Sequence, residues 1–457
     1  MSCALLLESW VRIFSLFETL ASLMFIVYSQ VEYGPVFQNR KHLEQTQWLK
    51  REDIGRIQTK HAKMMLAHAY KNVKFYHQSF KKAGFHPSQF RSLDDMCRVP
   101  ILSKQDFRLN VQGLRANSFP VRAQELLRTS GTTASPVEFY RDKKDVGRGL
   151  AAELRGFGWA GYRIGDKMAL MWNFTRRARS AKFRIANRIR RCKFFNINDI
   201  SEDSMRDFAM LLHRFKPKFI RGHAGALNLF ASFLQQNEGF KINPSAVFTA
   251  CETLLPNYRK NIESTFGCRV FDYYASSEVS HIGAQCEHSE GFHITDENVL
   301  VEIVEDGENV SSGEDGRVLV TNLHGFGMPF IRYDVGDRGR MLSDECVCGR
   351  GLSLMKVFGR TNEYFVTGDG SFLFLKDFQR FFEDLPVVNF EVVQKSLDEI
   401  VVNVVPGDGY EQQHTDFILR NLKYVGSGNI SVNLVNSIRP QGSGKFTHVV
   451  SKIKGDY

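Results

Sequence analysis

The chain has 457 residues, of which 43% are hydrophobic and 38 are phenylalanine. This length predicts two or three domains with a sizeable buried core, which excludes a disordered tail. The formal net charge is +10, but residues 176–191 contain eight basic and no acidic residues. Most of the excess positive charge therefore belongs to one segment, and no recognisable nucleic-acid-binding motif accompanies it, so we do not expect a nucleic-acid partner.

Residues 1–95 are predicted to form a helical lead-in to a larger domain. The apolar stretch Val11–Tyr28 is interrupted by Arg12 and Glu18. We therefore expect a helix on the protein body or on a membrane surface rather than a spanning helix. The eight cysteines are too sparse for a disulfide scaffold, and no cleavable secretory signal precedes them. These features predict a cytoplasmic location, with peripheral membrane association as an open alternative.

Residues 127–136, with the sequence LRTSGTTASP, form a hydroxyl-rich segment around a glycine. Ser130, Thr132 and Thr133 supply short hydroxyl donors, and Gly131 allows a turn that directs backbone N–H groups at one point. Such a concavity suits a polyphosphate. An ordinary Ser/Thr-rich loop is the competing interpretation.

Residues 96–359 are predicted to form a large α/β domain that binds nucleotide and substrate. Helices alternate with short strands from about 145 to 300, and strands at 299–305 and 317–321 indicate a β-rich subdomain. Within the basic segment 176–191, apolar residues recur at helical spacing, which predicts an amphipathic helix with a cationic face. That face could be solvated, bind an anionic substrate or carrier, or contact lipid or nucleic acid.

Residues 360–457 are predicted to form a small α+β lid. Strand patterns near 387–394 and 399–405 precede a helical pattern near 410–423. The predicted fold class is therefore α/β, with helices around mixed sheets, a β-rich subdomain and a C-terminal α+β lid.

Four further motifs share one chemical theme. Tyr274 and Glu278, in the sequence YASSE at a strand end, suit stacking on a base and holding Mg²⁺ against phosphate oxygens. Asp337, after a glycine turn, suits hydrogen bonds from two ribose hydroxyls. Arg360 begins the predicted lid, and Lys445 follows Gly442-Ser-Gly in a loop near the C-terminus.

Each of these residues has a structural alternative. Asp337 could belong to an ordinary Gly-Asp turn, Glu278 could cap a helix, and Lys445 could be a surface lysine. Gly442–Lys445 also imitates the end of a Walker loop, but Phe446 stands where that motif needs Ser or Thr. We reject the Walker interpretation.

In their order and spacing, these motifs resemble the adenylate-forming superfamily, specifically its phenylacetate–CoA ligase-like branch, which includes capsule-biosynthesis-type members. The likeness covers nearly the whole chain and depends on the joint order, because each motif alone is weak. Further matching segments are Ala67–Tyr70, Phe75-Tyr76, Pro100–Lys104, Glu252–Leu254, Gly316–Asn322 and Gly359-Arg360.

The resemblance implies ATP-dependent activation of a small carboxylic acid through an acyl-adenylate, followed by transfer to a thiol such as coenzyme A. It implies ATP, Mg²⁺ and coenzyme A as ligands. Lid rotation about Arg360–Asn362 would withdraw Lys445 before the second step. The implied catalytic residues are Lys445, Glu278 and Thr133, with Glu278 as the magnesium ligand. The implied nucleotide-binding residues are Ser130, Gly131, Thr132, Thr133, Tyr274, Ser277, Asp337 and Arg360.

The chain departs from the family pattern at several positions. Ala134 and Ala275 replace usual glycines, Ser277 replaces a threonine, and Asn362-Glu363 replace two aspartates. Ala134 adds a methyl group where close backbone approach is needed. An interaction protein that keeps the fold but has weak activity is therefore one alternative. A second alternative is adenylyl or acyl transfer to a non-CoA acceptor in polysaccharide or cofactor biosynthesis. The amphipathic N-terminus and segment 176–191 favour a membrane-proximal or polyanionic acceptor.

A cysteine and histidine set predicts a structural zinc site. Cys346 and Cys348 form a Cys-x-Cys turn, and Cys286 precedes them by about sixty residues. With His293 these thiols would form the Cys₃His set that structural zinc prefers, and His288 is the alternative fourth ligand. Related chains of the ligase-like branch carry a comparable cluster. The competing interpretation is that the cysteines are small core residues.

The sequence does not identify the acyl substrate. The acyl pocket is expected to draw on Gly222–Gly225, Thr249–Glu252 and the residues before Glu278. These segments are small and partly polar, so phenylacetate itself is not the expected substrate.

Overall fold

A computed structural model describes most of the chain. The described residues are 22–117, 119–128, 137–173, 187–188, 190–288, 291–343, 345–361, 363–367, 372–379, 381–422, 429–440 and 445–453. The predicted phosphate-binding residues Ser130, Gly131, Thr132 and Thr133 lie outside them, as do Ala134, Asn362 and most of the basic segment 176–191.

The first described helix, α1, covers residues 22–33 and packs on the protein body through one face. Phe25 is buried and contacts Phe37 edge-on, whereas Val27 and Val31 are exposed. Among the described residues, no helix combines the length and apolar character that crossing a bilayer requires. Further α-helices among the described residues are α2 (Val36–Thr46), α3 (Arg51–Asn72), α4 (Lys74–Lys82), α5 (Lys104–Leu109), α6 (Lys143–Trp159), α7 (Glu202–Phe215), α8 (Ala224–Gln236), α9 (Pro256–Phe266), α10 (Leu375–Gln379) and α11 (Gln412–Leu422).

The strands form a large mixed sheet, two small hairpin sheets and a C-terminal sheet. In chain order they are β1 (Gln124–Arg128), β2 (Glu138–Asp142), β3 (Met168–Trp172), β4 (Cys192–Asn196), β5 (Phe219–His223), β6 (Ala246–Ala250), β7 (Val270–Ser276), β8 (Ser280–Ala284), β9 (Phe292–Ile294), β10 (Val299–Glu305), β11 (Glu308–Asn309), β12 (Gly316–Asn322), β13 (Tyr333–Met341), β14 (Leu354–Arg360), β15 (Tyr364–Val366), β16 (Phe372–Phe374), β17 (Val387–Ser396), β18 (Glu399–Pro406), β19 (Asn429–Leu434) and β20 (Val449–Ser451).

In the described part of the chain the large sheet has twelve strands, in the order β11-β10-β12-β13-β14-β9-β8-β7-β6-β5-β3-β4. Strands β3 to β7 pair in parallel, as alternating helices and strands predict. Antiparallel pairing begins between β7 and β8 and continues through β9 and β14. The β-rich region is thus hydrogen-bonded to the parallel strands as one sheet, which confirms the α/β fold class with mixed sheets.

Helices cover both faces of the parallel strands. On one face, α6 packs through Phe157 against Phe248 and Tyr273, and Phe219 belongs to the same apolar cluster. Helices α7, α8 and α9 contribute to an apolar cluster on the other face. The carboxyl ends of β5, β6 and β7 meet at one edge, where open α/β sheets bind their ligands.

The C-terminal sheet has the order β19-β18-β17-β20 and lies against α8 and α9. Asn228 on α8 donates to the Val388 carbonyl at 2.8 Å, and the Tyr258 hydroxyl on α9 donates to Asn389 Oδ1 at 2.7 Å. The apolar cluster of α8 and α9 continues into this sheet through Phe390 and its neighbours. The boundaries 1–95, 96–359 and 360–457 remain predictions.

Candidate functional site

A cavity of about 1580 Å³ lies at the carboxyl ends of the parallel strands, where β13, β14 and the loop before β20 also converge. Its lining includes every described residue of the predicted nucleotide-binding and catalytic sets: Tyr274, Ser277, Glu278, Asp337, Arg360 and Lys445. Residues from four separate segments of the sequence therefore meet at one place.

Asp337 is the centre of a polar cluster. It lies on β13 directly opposite Arg360 on β14, and Arg360 Nε is 3.3 Å from Asp337 Oδ1. The Tyr274 hydroxyl at the end of β7 donates to Asp337 Oδ2 at 2.8 Å. Asp337 raises the pKa of Arg360, while burial and Asp337 raise the pKa of Tyr274 well above its usual value. The cluster therefore presents a fixed carboxylate beside a permanent cation.

Glu278 lies in the turn between β7 and β8, together with Ser277. The Tyr333 hydroxyl donates to Glu278 Oε1 at 3.0 Å. The Tyr333 ring packs against Phe107 and Phe330, which fixes that donor. Burial and Glu278 raise the pKa of Tyr333, so the phenol stays protonated and keeps the carboxylate oriented.

The predicted phosphate loop joins the two strands of a hairpin. Strands β1 and β2 pair antiparallel, with Arg128 opposite Glu138, and these side chains form an ion pair at 2.9 Å. Arg128 and Val137, which bound the segment 129–136, both line the cavity. The segment is thus attached at both ends to the wall of the cavity, although its own residues lie outside the described part.

Lys104 is a cavity residue to which the sequence analysis gave no role. It opens α5, whose N-terminus is capped by Ser103 and Asp106. Its ammonium lies against Gly336, where an added Cβ would be 1.9 Å from Lys104 Nζ. Burial and Arg360 lower its pKa, and Asp337 opposes them. The segment Pro100–Lys104 is one of the segments that resemble the family, and it could have indicated that Lys104 belongs to the site.

Glu252, which the sequence placed at the expected acyl pocket, also connects the large sheet to the loop that carries Lys445. Its carboxylate accepts hydrogen bonds from the backbone N–H groups of Gly225 and Phe446, each at 2.8 Å. The Phe446 ring lies so close to Gly225 that an added Cβ would be 2.4 Å from Phe446 Cδ2. Lys445, one residue earlier, is thereby held at the cavity.

Glu363 lies among the charges of this region. Burial raises its pKa to about 7, and the neighbouring carboxylate of Asp337 adds to this rise. Arg360 and Lys445 act in the opposite direction. Glu363 therefore changes its charge near neutral pH, beside the two cations of the site.

The cavity also reaches the segments from which we expected the acyl pocket. His223, Ala250 and Cys251 line it, together with Trp172 and Arg221. The Trp172 and His223 rings meet edge-on, with centroids 4.9 Å apart. Burial lowers the pKa of His223, but the neighbouring Cys251 and Glu252 outweigh it and raise the pKa to about 9. This end of the cavity is polar.

The four predicted metal ligands lie together. The ligand atoms of Cys286, His293, Cys346 and Cys348 are all within 4.8 Å of one another. The Cys286 and Cys346 sulfurs are 3.6 Å apart, and Cys348 Sγ is 3.4 Å from His293 Nε2. Tetrahedral Zn–S bonds of about 2.3 Å place two sulfurs about 3.8 Å apart, so the donor set fits zinc. His288 is half exposed and is not part of this group.

Comparison with known proteins identifies several relatives. The family described as CapK C-terminal domain matches residues 365–452. The phenylacetate-coenzyme A ligase of Escherichia coli (strain K12) is 28% identical over 328 residues, which are 69% of this chain and 73% of the relative. Protein CapK of Staphylococcus aureus is 22% identical over 431 residues, covering 88% of this chain and 90% of the relative.

Solved structures support the same fold. A crystal structure of 2-hydroxyisobutyryl-CoA ligase in the postadenylation state, in complex with R3-HIB-AMP, superposes with a TM-score of 0.74 at 20% identity. The alignment covers 88% of this chain and 90% of that chain.

Proposed function

We propose that this chain, which is similar to phenylacetate-coenzyme A ligases and to protein CapK, is an adenylate-forming enzyme that activates a carboxylic acid with ATP and transfers the acyl group to a thiol such as coenzyme A. The observation that carries the proposal is the meeting of Tyr274, Glu278, Asp337, Arg360 and Lys445 at one cavity. Their charges suit a nucleotide, with a carboxylate for the ribose and cations for the phosphates.

In the first step, a carboxylate oxygen of the substrate attacks the α-phosphorus of ATP and pyrophosphate leaves. Two negatively charged groups must approach each other, so cations aimed at the reacting atoms supply the main rate enhancement. Lys445 takes this position in the proposal, because Glu252 holds its loop at the cavity. Lys104 and Arg360 add positive charge on the nucleotide side.

Asp337 would accept hydrogen bonds from the ribose, and the Tyr274 ring would lie beside the adenine. In the described structure Asp337 already accepts from Tyr274 and pairs with Arg360, which fixes its orientation. Glu278 would hold Mg²⁺, because carboxylate oxygens are the ligands this ion prefers. When bound, Mg²⁺ neutralises phosphate charge. The hydroxyls of Ser130, Thr132 and Thr133 and the N–H groups around Gly131 would contact the phosphates.

In the second step, a thiolate attacks the acyl carbonyl carbon and AMP leaves with the bonding electron pair. Lys445 has no role in that step and occupies space near the acyl-adenylate. We infer that the C-terminal part rotates about Arg360–Asn362, which would withdraw Lys445 and admit the thiol.

Pyrophosphate–ATP exchange across a panel of carboxylic acids tests the proposal. We expect acid-dependent exchange that is lost in Lys445→Ala and retained in Lys395→Ala. The control lysine is exposed in the C-terminal sheet and pairs with Glu399 at 2.6 Å. ATP binding without exchange for any acid would contradict the ligase proposal, and a protein that does not bind ATP would favour the interaction-protein alternative.

Transfer to an acceptor other than coenzyme A is the second candidate function. The match of residues 365–452 to the CapK C-terminal domain favours it, because in the proposal this part of the chain approaches the acceptor. Transfer of acyl or AMP to a hydroxyl or phosphate acceptor, with no thioester formed when coenzyme A is present, would support this candidate. A polysaccharide or cofactor precursor is the acceptor class to test.

We also propose that Cys286, His293, Cys346 and Cys348 bind a structural zinc ion. The ion would connect the ends of β8, β9 and β13, and four protein ligands would leave no position for substrate. Protein purified without chelator should contain one zinc per chain, and Cys346→Ser should lower both zinc content and thermal stability. His288→Ala should change neither. Metal-free protein of unchanged stability would refute the zinc site.

A cytoplasmic location with peripheral membrane contact remains a proposal. The exposed side chains of Val27 and Val31 on α1, together with the basic segment 176–191, are the features that support contact with a membrane or a polyanion. Sedimentation with anionic vesicles at low and high salt would test it, and no binding at low salt would exclude it.

A further inference from the structure

We propose that the acid activated here carries an uncharged hydrogen-bonding group, a hydroxyl or a carbonyl, on its carbon chain away from the carboxylate. This inference rests on the proposed function, because it names the substrate class for the same cavity. Its basis is a group of polar side chains in the cavity wall, which we call the polar wall: the half-buried Arg221 and the buried Tyr273 and His281.

The polar wall forms because the three residues point to the same face of the large sheet. Phe157 on α6 covers that face and contacts two of them: its ring centroid is 5.2 Å from Arg221 Cζ and 5.0 Å from the Tyr273 ring centroid. The Tyr273 and His281 ring centroids are 5.8 Å apart. All three residues line the cavity.

Each residue of the polar wall has a buried polar atom without a hydrogen-bond partner among the described residues. These atoms are Arg221 Nε, the Tyr273 hydroxyl oxygen and His281 Nε2. Tyr273 is 4% exposed and His281 is 6% exposed. Buried polar atoms in native proteins are nearly always paired, so three such atoms in the wall of one cavity indicate a polar ligand.

The polar wall as a whole is uncharged. Arg221 forms an ion pair with Glu153, which also lines the cavity. Burial, reinforced by Arg155 and Arg221, lowers the pKa of His281 to about 3, so its imidazole is neutral at ordinary pH. Burial also keeps the Tyr273 phenol protonated by raising its pKa. A neutral polar group on the substrate would match the polar wall without separating the ion pair of Arg221 and Glu153.

The hydrogen-bonding capacity of the polar wall suits a hydroxyl or a carbonyl oxygen. Arg221 Nε can only donate, and the Tyr273 hydroxyl can donate or accept. His281 Nδ1 is 3.0 Å from Thr295 Oγ1, and this contact fixes the plane of the imidazole. Tyr273 is tightly packed, since a Cβ added at Gly156 would lie 3.0 Å from its hydroxyl oxygen. The polar groups are therefore held in place before the acid binds.

Matched pairs of acids test the inference. Suitable pairs are 4-hydroxybutyrate and butyrate, and 4-hydroxyphenylacetate and phenylacetate. For each acid we would measure kcat/KM in pyrophosphate–ATP exchange, and binding by calorimetry in the presence of AMP. We expect the hydroxylated member of at least one pair to be preferred by about 100-fold, because binding of its analogue leaves buried polar groups unpaired.

Tyr273→Phe is the informative variant, since it removes the hydroxyl and keeps the packed ring. We expect it to reduce the preference about tenfold or more while leaving the kcat/KM of the apolar acid nearly unchanged. Tyr76→Phe is the control: its hydroxyl is bonded to the backbone of Pro329 and Ile331 and lies outside the cavity lining. It should leave the preference intact.

The two measurements separate failure of this inference from failure of the proposed function. Equal exchange and equal binding of both members of every pair would overturn the inference, as would a preference that Tyr273→Phe does not change. If no acid supports exchange but hydroxylated acids bind with a preference that depends on Tyr273, the inference stands and the proposed ligase activity fails.

Discussion

Glu252 gives the sharpest test of how the Lys445 loop is held. The Phe446 N–H donates a hydrogen bond to the Glu252 carboxylate at 2.8 Å, and among the described residues we find no other acceptor for it. Glu252→Ala removes this acceptor without touching Lys445 itself. If adenylation requires the docked loop, the variant should lose the first half-reaction and keep the second.

The size of the effect on docking follows from the bond to Phe446, because the other donor to Glu252, the Gly225 N–H, belongs to α8 and not to the Lys445 loop. A hydrogen bond to a charged group contributes about 1.5–3 kcal/mol, which corresponds to a factor of roughly 10–150. Glu252→Ala should therefore slow acid-dependent pyrophosphate–ATP exchange by about that factor. Thioester formation from preformed acyl-adenylate should change by less than about threefold, because undocking already precedes that step in the proposed cycle.

The two half-reactions are measured separately, with Glu399→Ala as an exposed control. His223 must also be considered, since its Nδ1 is 3.8 Å from Glu252 Oε1. Losing Glu252 removes a group that raises the pKa of His223 from its usual value towards 9. If the loss of exchange acted through the charge of His223, it would become smaller as the pH is lowered and the imidazole of the variant gains its proton. Equal slowing of both half-reactions would refute the docking role of Glu252.

Three further predictions concern binding, pH dependence and stability. Asp337→Ala should weaken nucleotide binding by about 1–3 kcal/mol, and an unchanged calorimetric affinity would contradict the ribose contact. Because the pKa of Glu363 is about 7, its carboxylate becomes negative as the pH rises through that value and repels ATP. The KM for ATP should therefore rise between pH 6 and 8, and Glu363→Gln should flatten the rise; the same pH profile in both proteins would exclude this cause. Arg155→Ala leaves the buried Glu297, 2.7 Å away, without its cation and should lower the free energy of unfolding by about 3–5 kcal/mol in urea titrations. A loss below about 1 kcal/mol would show that the pair contributes little.

Short motifs allowed much of the nucleotide side of the site to be anticipated. Tyr274 and Glu278 follow one strand, and Asp337 and Arg360 each belong to a compact sequence pattern. The order of these motifs along the chain, which resembles that of the family, implied that the four residues lie in one site. The pairing of β13 with β14 places Asp337 opposite Arg360. The fold class was predictable for a similar reason, since alternating helices and strands favour parallel pairing.

Contacts between distant segments could not be predicted in this way. The packing of Lys104 against Gly336 and the bond from Phe446 to Glu252 depend on how whole elements are arranged. The choice between His288 and His293 required the conformation of β9, which places His293 beside Cys348. The polar wall could not be predicted either, because its residues come from β5, β7 and β8 and no sequence motif links them.

The apolar cluster that continues from α8 and α9 into the C-terminal sheet also has a thermal consequence. Any rotation that separates these elements exposes hydrocarbon to water, and such exposure raises the heat capacity. Apolar attraction weakens on cooling. The logarithm of the equilibrium constant between the docked and rotated forms should therefore vary nonlinearly with temperature. Cooling should favour the rotated form. An Arrhenius plot of the complete reaction would then bend wherever the slower of the two steps changes.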